Sequence, residues 1–498
     1  MIELLTIKDK WRSSILFVFQ LLLILLVLGL LTFQLHSYGP THSDPDPDGY
    51  ISYANGLKET WSIQPHRRLP GYPLIVAVID SIGSGGIAVK MFWFHLMLTV
   101  AFVAGTAGLV WRFFGYSVAI VYSIIIAYNS YFARAAIMML ADLPMVVMFY
   151  ATCAIGLAFS ASPKKNKMIY ALLFFAASVI SIAIHPSSHM LFQILSFSAC
   201  VVFATKKMVV APPLDRLETV KRVVTPLLVL SVLAFAGNEL VSNTLQLNSS
   251  QNYLTRKNES NRNHQKSWIG YRMLLCLPPG KQSDAIDAEI EILKSKVSMR
   301  IGYPIESIVP PGHYAEFLPL IDSETIESDR WKKRVSQHPL ALFRCAASEF
   351  HAKYNILIKN LTPFSDFEHD KTWVTYDYPF NTGSPRDELF WSTGINLFRV
   401  LPADAPRTAV TSAAITEVAR IIIVVALTFG GLTMIGRIFP GVGLVFLGSL
   451  LVWVSVLPLA LPLETRYIMT FLPIIYTGQA LLIVRILVSV KKLAEKVV

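Results

Sequence analysis

Three carboxylates, Asp44, Asp46 and Asp48, alternate with prolines in the stretch His42-Ser43-Asp44-Pro45-Asp46-Pro47-Asp48-Gly49-Tyr50. A basic cluster, His66-Arg67-Arg68, follows and runs into Leu69-Pro70-Gly71-Tyr72-Pro73. Fixed carboxylate oxygens suit two tasks, taking a proton from a hydroxyl and holding a divalent cation. Proline fixes its own φ and biases the residue before it towards extended geometry, so the three Asp are predicted to project stiffly from a loop and not from a helix. The bland alternative is a solvated loop in which Asp48 helps to start a helix at Tyr50. Between the acidic and basic clusters, Tyr50, Tyr53, Ala54, Leu57 and Trp61 recur at three- and four-residue spacing, which predicts an amphipathic helix lying on a membrane surface.

Three further polar signals sit where apolar runs begin or end. Asp142, in Ala141-Asp142-Leu143-Pro144, stands at the mouth of one run with Arg134 ahead of it; a carboxylate there is costly unless it faces a polar cavity, although it is also a good helix start and Arg134 a good interfacial anchor. His185 and His189 bracket a turn, His185-Pro186-Ser187-Ser188-His189, that is either a tight hairpin or a binder of phosphate oxygens. Glu464-Thr465-Arg466-Tyr467 opens the last apolar run, where Glu464 and Arg466 either pair with each other or place Arg466 to hold a phosphate.

The elements that must carry these residues are membrane spans. The chain has 498 residues, 53% of them hydrophobic, and its apolar runs repeatedly reach the roughly 20 residues that cross ~30 Å of hydrocarbon. The predicted class is an all-α polytopic membrane protein of about ten transmembrane helices, near 14–35, 88–111, 117–131, 143–161, 168–185, 188–205, 223–243, 411–435, 440–460 and 467–488. Lys8, Lys10, Arg12, Arg112, Lys164, Lys165, Lys167, Lys206, Lys207, Arg216, Lys221, Arg222, Arg437, Lys491 and Lys492 fall on alternate loops. That bias predicts both termini in the cytoplasm and the Asp-rich loop outside, in a plasma (inner) membrane, or an ER membrane in a eukaryotic host. The same bias and anionic headgroups account for the net charge of +11 without nucleic acid, for which no motif is present.

Three regions follow: an N-terminal transmembrane module, 1–245, whose first outward loop is 36–87; an outward-facing mixed soluble insert, 246–408; and a C-terminal transmembrane module, 409–498. In the insert, Leu342, Phe343, Ala346, Phe350, Tyr354 and Leu357 form a stripe predicted to lie against the bilayer or the bundle. Cys153 and Cys200 fall in spans, whereas an oxidising compartment would permit a Cys276–Cys345 disulfide in the insert. Asn248, Asn258 and Asn360 head glycosylation triplets that matter only in a glycosylating host. The absence of a P-loop, a nucleotide-binding Gly-rich fingerprint, His-Glu-x-x-His and Cys-x-x-Cys argues against an ATP-driven pump, a nicotinamide enzyme and a zinc peptidase.

In their order and loop placement these signals resemble the type C (GT-C) glycosyltransferases, which use polyprenyl-phosphate sugars, such as protein O-mannosyltransferases and the lipid A aminoarabinose transferases. The likeness rests on Asp46 to Tyr50, spaced as Asp-x-x-x-Tyr, on Arg68-Leu69-Pro70-Gly71-Tyr72-Pro73, on Ala141-Asp142-Leu143-Pro144 and on Glu464-Thr465-Arg466-Tyr467. It implies inverting transfer of a sugar to a hydroxyl of a glycan, lipid or protein acceptor at the outer face, with Asp46 or Asp48 as catalytic base. It also implies that Asp142, Arg67, Arg68, Arg134, His185, Glu464, Arg466 and Tyr467 bind substrate. A divalent cation (Mg, Mn or Ca), if used, would be held by Asp46, Asp48 and Asp142. The large insert and the doubled Asp-Pro depart from the best known members. The rival class is a secondary transporter or flippase of lipid-linked sugars; midspan positions almost free of ionisable residues speak against it.

Overall fold

A computed structural model describes residues 45–60, 69–129, 140–161, 166–185, 404–438, 445–451 and 469–497, with shorter pieces and single positions within 18–36, 188–198, 229–240, 292–295, 358–362, 384–389 and 397–402. Eight helices are named here in chain order: α1 (Pro45–Thr60), α2 (Gly71–Ser81), α3 (Ile87–Phe114), α4 (Tyr116–Tyr128), α5 (Asp142–Ala161), α6 (Lys167–Ile184), α7 (Arg407–Ile438) and α8 (Leu472–Val497). No β-strand occurs among the described residues. Four of the helices, α3, α6, α7 and α8 over Leu472–Glu495, are long and apolar enough to cross a membrane. Their sides expose Met97, Leu109, Leu172, Ile422 and Leu487, as helices apolar all round require. Predicted spans 14–35, 188–205, 223–243 and 440–460 are represented by helical positions within 18–36, 188–198, 229–240 and 445–451.

One apolar core joins the helices. α3 turns into α4 at Gly115, whose φ of 91° is the left-handed conformation that lets its N–H close on Trp111 O at 2.9 Å. α5 and α6 run side by side through Phe149, Phe174 and Phe192, with Phe149 stacked on Phe192 at 5.1 Å. α7 and α8 meet backbone to backbone. A Cβ on Gly431 would lie 2.3 Å from Gly478 C, and only the paired absence of side chains permits that approach.

Three sequence expectations are corrected. Asp46 and Asp48 do not project from an extended loop, because α1 already begins at Pro45 and includes both. The first N–H groups of a helix have no intrahelical partner, so Pro45 and Pro47 in that first turn sacrifice no bond and their fixed φ suits the helix. The stripe predicted to lie on the membrane is buried in protein: Tyr50, Tyr53, Ala54 and Leu57 pack where α1 meets α2. The segment 36–87, read from the sequence as the first outward loop, also holds a second helix, α2, whose 11 residues are too few to read as a span.

The insert drawn as 246–408 reaches into this core. Leu361 is buried in it. Gln479 Nε2 of α8 donates to Leu361 O at 2.7 Å and contacts Thr428 Oγ1 of α7 at 3.0 Å. Asn129 Nδ2 after α4 donates to Thr362 O at 3.3 Å, and Arg420 Nη1 of α7 to Thr362 Oγ1 at 3.2 Å, with Arg420 itself bound to Glu417. Gln479 and Asn129 thus serve backbone carbonyls, and Arg420 a hydroxyl, at positions 361 and 362.

Candidate active site

α1, α2, the start of α5 and the end of α6 come together around Tyr72. Gly71 opens α2 after Pro70, whose carbonyl accepts from the Leu74 N–H at 2.8 Å. The missing side chain lets Gly71 seat against the last turn of α6: a Cβ there would lie 2.5 Å from Ala183 C and 2.7 Å from Ile184 N. His185, half-buried, follows that turn directly. Its N–H donates to Ser181 O at 3.0 Å and its carbonyl accepts from the Ser188 N–H at 3.1 Å. The Ser181 and Ser188 hydroxyls are 3.0 Å apart.

Tyr72, next along α2, is fully buried. Its hydroxyl lies 3.0 Å from His95 Nε2 on α3, and the edge of its ring meets Tyr50 of α1, centroids 4.8 Å apart at 86°. Burial, then the neighbouring Tyr50 phenol and the charge of Asp142, hold the Tyr72 phenol well above its ordinary range. Asp142 is therefore within electrostatic reach of Tyr72. Tyr53, on the same stripe, is pushed up to about 12 by burial.

Asp142 is the first residue of α5, a position favoured for a carboxylate by the helix dipole. It is only 3% exposed, between Ala141 and Leu143, which are fully buried. Its Oδ1 has no hydrogen-bond partner among the described residues. A buried carboxylate oxygen is costly to leave unpaired, so Oδ1 is an acceptor available to a hydroxyl or a cation. It offers a cation one oxygen; among the described residues no group of three or more His, Cys, Asp or Glu gathers around a common point.

A charged network braces the C-terminal end of α2. Lys58 of α1 donates to the Asp80 carboxylate, and Lys90 of α3 reaches the same carboxylate at 3.6 Å, Asp80 O at 2.6 Å and Gly83 O at 2.9 Å. The Lys58 hydrogen bond is the main cause that holds the Asp80 carboxyl below its ordinary value. α1, α2 and α3 are thus tied by Tyr50–Tyr72–His95 at the N-terminal end of α2 and by Lys58–Asp80–Lys90 at its C-terminal end.

Of the residues singled out in the sequence, Asp142 and His185 belong to helix ends gathered around α2, and Asp46 and Asp48 to the first turn of α1. Arg67, Arg68, Arg134, Glu464, Arg466 and Tyr467, with the Cys276–Cys345 pair, lie outside the described residues. Cys153 is a free thiol. His95 is not among the residues singled out in the sequence. A fully buried histidine within the apolar run 88–111 is itself the signal, because ionisable side chains inside a span are there for a reason.

No family model matches the chain, and no curated protein matches it. Among solved structures, the archaeal oligosaccharyltransferase AglB from Archaeoglobus fulgidus, in complex with an inhibitory peptide and a dolichol-phosphate, aligns with a TM-score of 0.45 and 11% identity. The alignment covers 96% of this chain and 52% of the archaeal enzyme, so this chain spans about half the length of the protein it matches. A likeness of that size establishes neither a shared fold nor a shared activity.

Proposed function

We propose that this chain is an integral membrane glycosyltransferase that moves a sugar from a polyprenyl-phosphate donor to an acceptor hydroxyl at the outer membrane face. The observation that carries this reading is the buried Asp142 Oδ1, without a partner among the described residues and in electrostatic reach of Tyr72, onto which α1 packs Tyr50 one helical turn after Asp46. An acidic turn and a second carboxylate with a vacant acceptor are what a base and a sugar-binding group require.

In this mechanism Asp46 or Asp48 accepts the proton of the acceptor hydroxyl as that oxygen attacks the anomeric carbon. The bond from that carbon to the phosphate oxygen breaks, its electron pair leaves with polyprenyl phosphate, and the configuration inverts. A positioned base contributes ~10² to 10⁴ in rate. Asp142 accepts a hydrogen bond from a donor sugar hydroxyl. Arg67, Arg68, Arg134, Arg466 and His185 are the groups proposed to hold the departing phosphate, and Glu464 and Tyr467 to line its entrance. A divalent cation, if bound, would be held by Asp142 with Asp46 or Asp48 and would neutralise phosphate charge. Both termini are cytoplasmic in this reading, and the insert 246–408 recognises the acceptor while the bundle holds the lipid.

The test is release of polyprenyl phosphate from a labelled polyprenyl-phosphate sugar by purified protein in detergent. Release that is lost in both Asp46→Asn and Asp48→Asn, or in one of them, with unchanged folding supports the proposal. Unchanged turnover in the two single variants and the double variant removes base catalysis from α1. A donor that crosses vesicle membranes intact, with no release, supports a flippase instead.

A further inference from the structure

The Tyr72–His95 pair has no role in the mechanism above, yet it is a buried polar link between α2 and α3, and the Tyr72 ring also meets Tyr50 of α1. Both side chains are fully buried, and the contact between hydroxyl and Nε2 is made in either histidine tautomer, the hydroxyl donating to a bare nitrogen or accepting from Nε2–H. A phenylalanine at position 72 would fill the same volume without a polar atom to desolvate. The hydroxyl therefore adds direction, not burial, since only one placement of the ring reaches His95.

That direction is passed on. Tyr72 is anchored at its base by Gly71, which abuts the backbone of Ala183 and Ile184, and at its tip by His95. Its ring edge meets Tyr50 of α1. Along α1, counting back four residues from Tyr50 reaches Asp46, on the register of the buried stripe Tyr50, Tyr53, Ala54 and Leu57; Asp48, two residues back, falls on the opposite register.

We infer that Tyr72 and His95 are a positioning pair for the transfer reaction: through Tyr50 they set the placement of the first turn of α1, the turn that carries Asp46 four residues before Tyr50. This rests on the proposed glycosyl transfer. Neither Tyr72 nor His95 exchanges a proton with substrate.

The experiment compares Tyr72→Phe, His95→Leu and His95→Gln in the full chain with wild type. It measures steady-state turnover of a synthetic polyprenyl-phosphate sugar and amide hydrogen exchange along α1. Tyr72→Phe and His95→Leu are expected to lower kcat by at least about tenfold with KM within about threefold, because a misplaced base is felt in the transition state and not in donor binding. The α1 amides should exchange several-fold faster. His95→Gln, whose amide can still meet the Tyr72 hydroxyl, should recover most of the rate. A kcat within about twofold of wild type in the isosteric Tyr72→Phe overturns the inference, as does a lowered kcat with unchanged α1 exchange, or a His95→Gln loss equal to that of His95→Leu. If wild type releases no polyprenyl phosphate, the glycosyltransferase reading falls on its own. Exchange then decides the structural half: faster α1 exchange in Tyr72→Phe keeps the coupling, and unchanged exchange removes it.

Discussion

Gly71→Ala puts the seating of α2 to the test with a single methyl group. Its Cβ would meet three backbone atoms, Ala183 C at 2.5 Å, Ala183 O at 2.6 Å and Ile184 N at 2.7 Å, and no rotamer change can move them. Ordinary contact begins at 3.4 Å, so α2 must retreat from the end of α6 by about 0.9 Å. Overpacking of that kind costs about 1–3 kcal/mol. Tyr72 is the next residue, so the same retreat strains its 3.0 Å contact with His95 and its edge contact with Tyr50. A displacement of ~1 Å in a catalytic group can cost about 10²-fold in rate. The control is Gly86→Ala at the start of α3, where φ is −68° and nothing lies within 4 Å of the added Cβ. Thermal unfolding of the two purified variants in detergent and turnover of the labelled donor are measured together. Gly71→Ala should unfold at lower temperature and lose most of its turnover, while Gly86→Ala behaves as wild type. Equal unfolding temperatures for the two variants would refute the close seating of α2 on α6.

Other perturbations probe the rest of the frame. Gly478→Ala, whose Cβ would lie 2.8 Å from Gly431 C, should destabilise the α7–α8 pair by about 1–3 kcal/mol, read by denaturant unfolding in mixed micelles. Gln479→Leu leaves the buried Leu361 carbonyl without its donor, at a cost of about 1–3 kcal/mol; limited proteolysis of the insert should quicken, and an unchanged cleavage rate would show that the insert is not held there. Asp80 titrates below its ordinary 3.8 in the folded chain, so its ionised form stabilises the fold fully above that pH. This stabilisation drains as pH falls below 3.8 through the folded value. Asp80→Asn should therefore lower stability at neutral pH and flatten its acid dependence, and an acid limb identical to wild type would remove the Lys58–Asp80–Lys90 network from the account.

The helices legible in the sequence are those whose cause is local. A membrane span needs a long apolar run, and the runs predicted at 88–111, 168–185, 411–435 and 467–488 are found as α3, α6, α7 and α8 within a few residues, except that α8 continues to Val497. Asp142 stood out for the same reason, a carboxylate where hydrocarbon begins, and it opens α5. The first turn of α1 was misread because the conformational bias before proline is a weak local preference. It yields to the burial of four residues, Tyr50, Tyr53, Ala54 and Leu57, where α1 packs against α2. α2 itself was invisible as a helix, being too short for a span and embedded in a stretch read as loop. Contacts that hold the site and the core together join residues far apart along the chain: Tyr72 to His95 across 23 residues, Leu361 to Gln479 across 118, Asn129 to Thr362 across 233. Composition and periodicity settle which segments leave water. Which polar groups then meet is settled by close packing, because inside an apolar bundle each buried donor and acceptor must find its partner among whatever the neighbouring helices bring within reach.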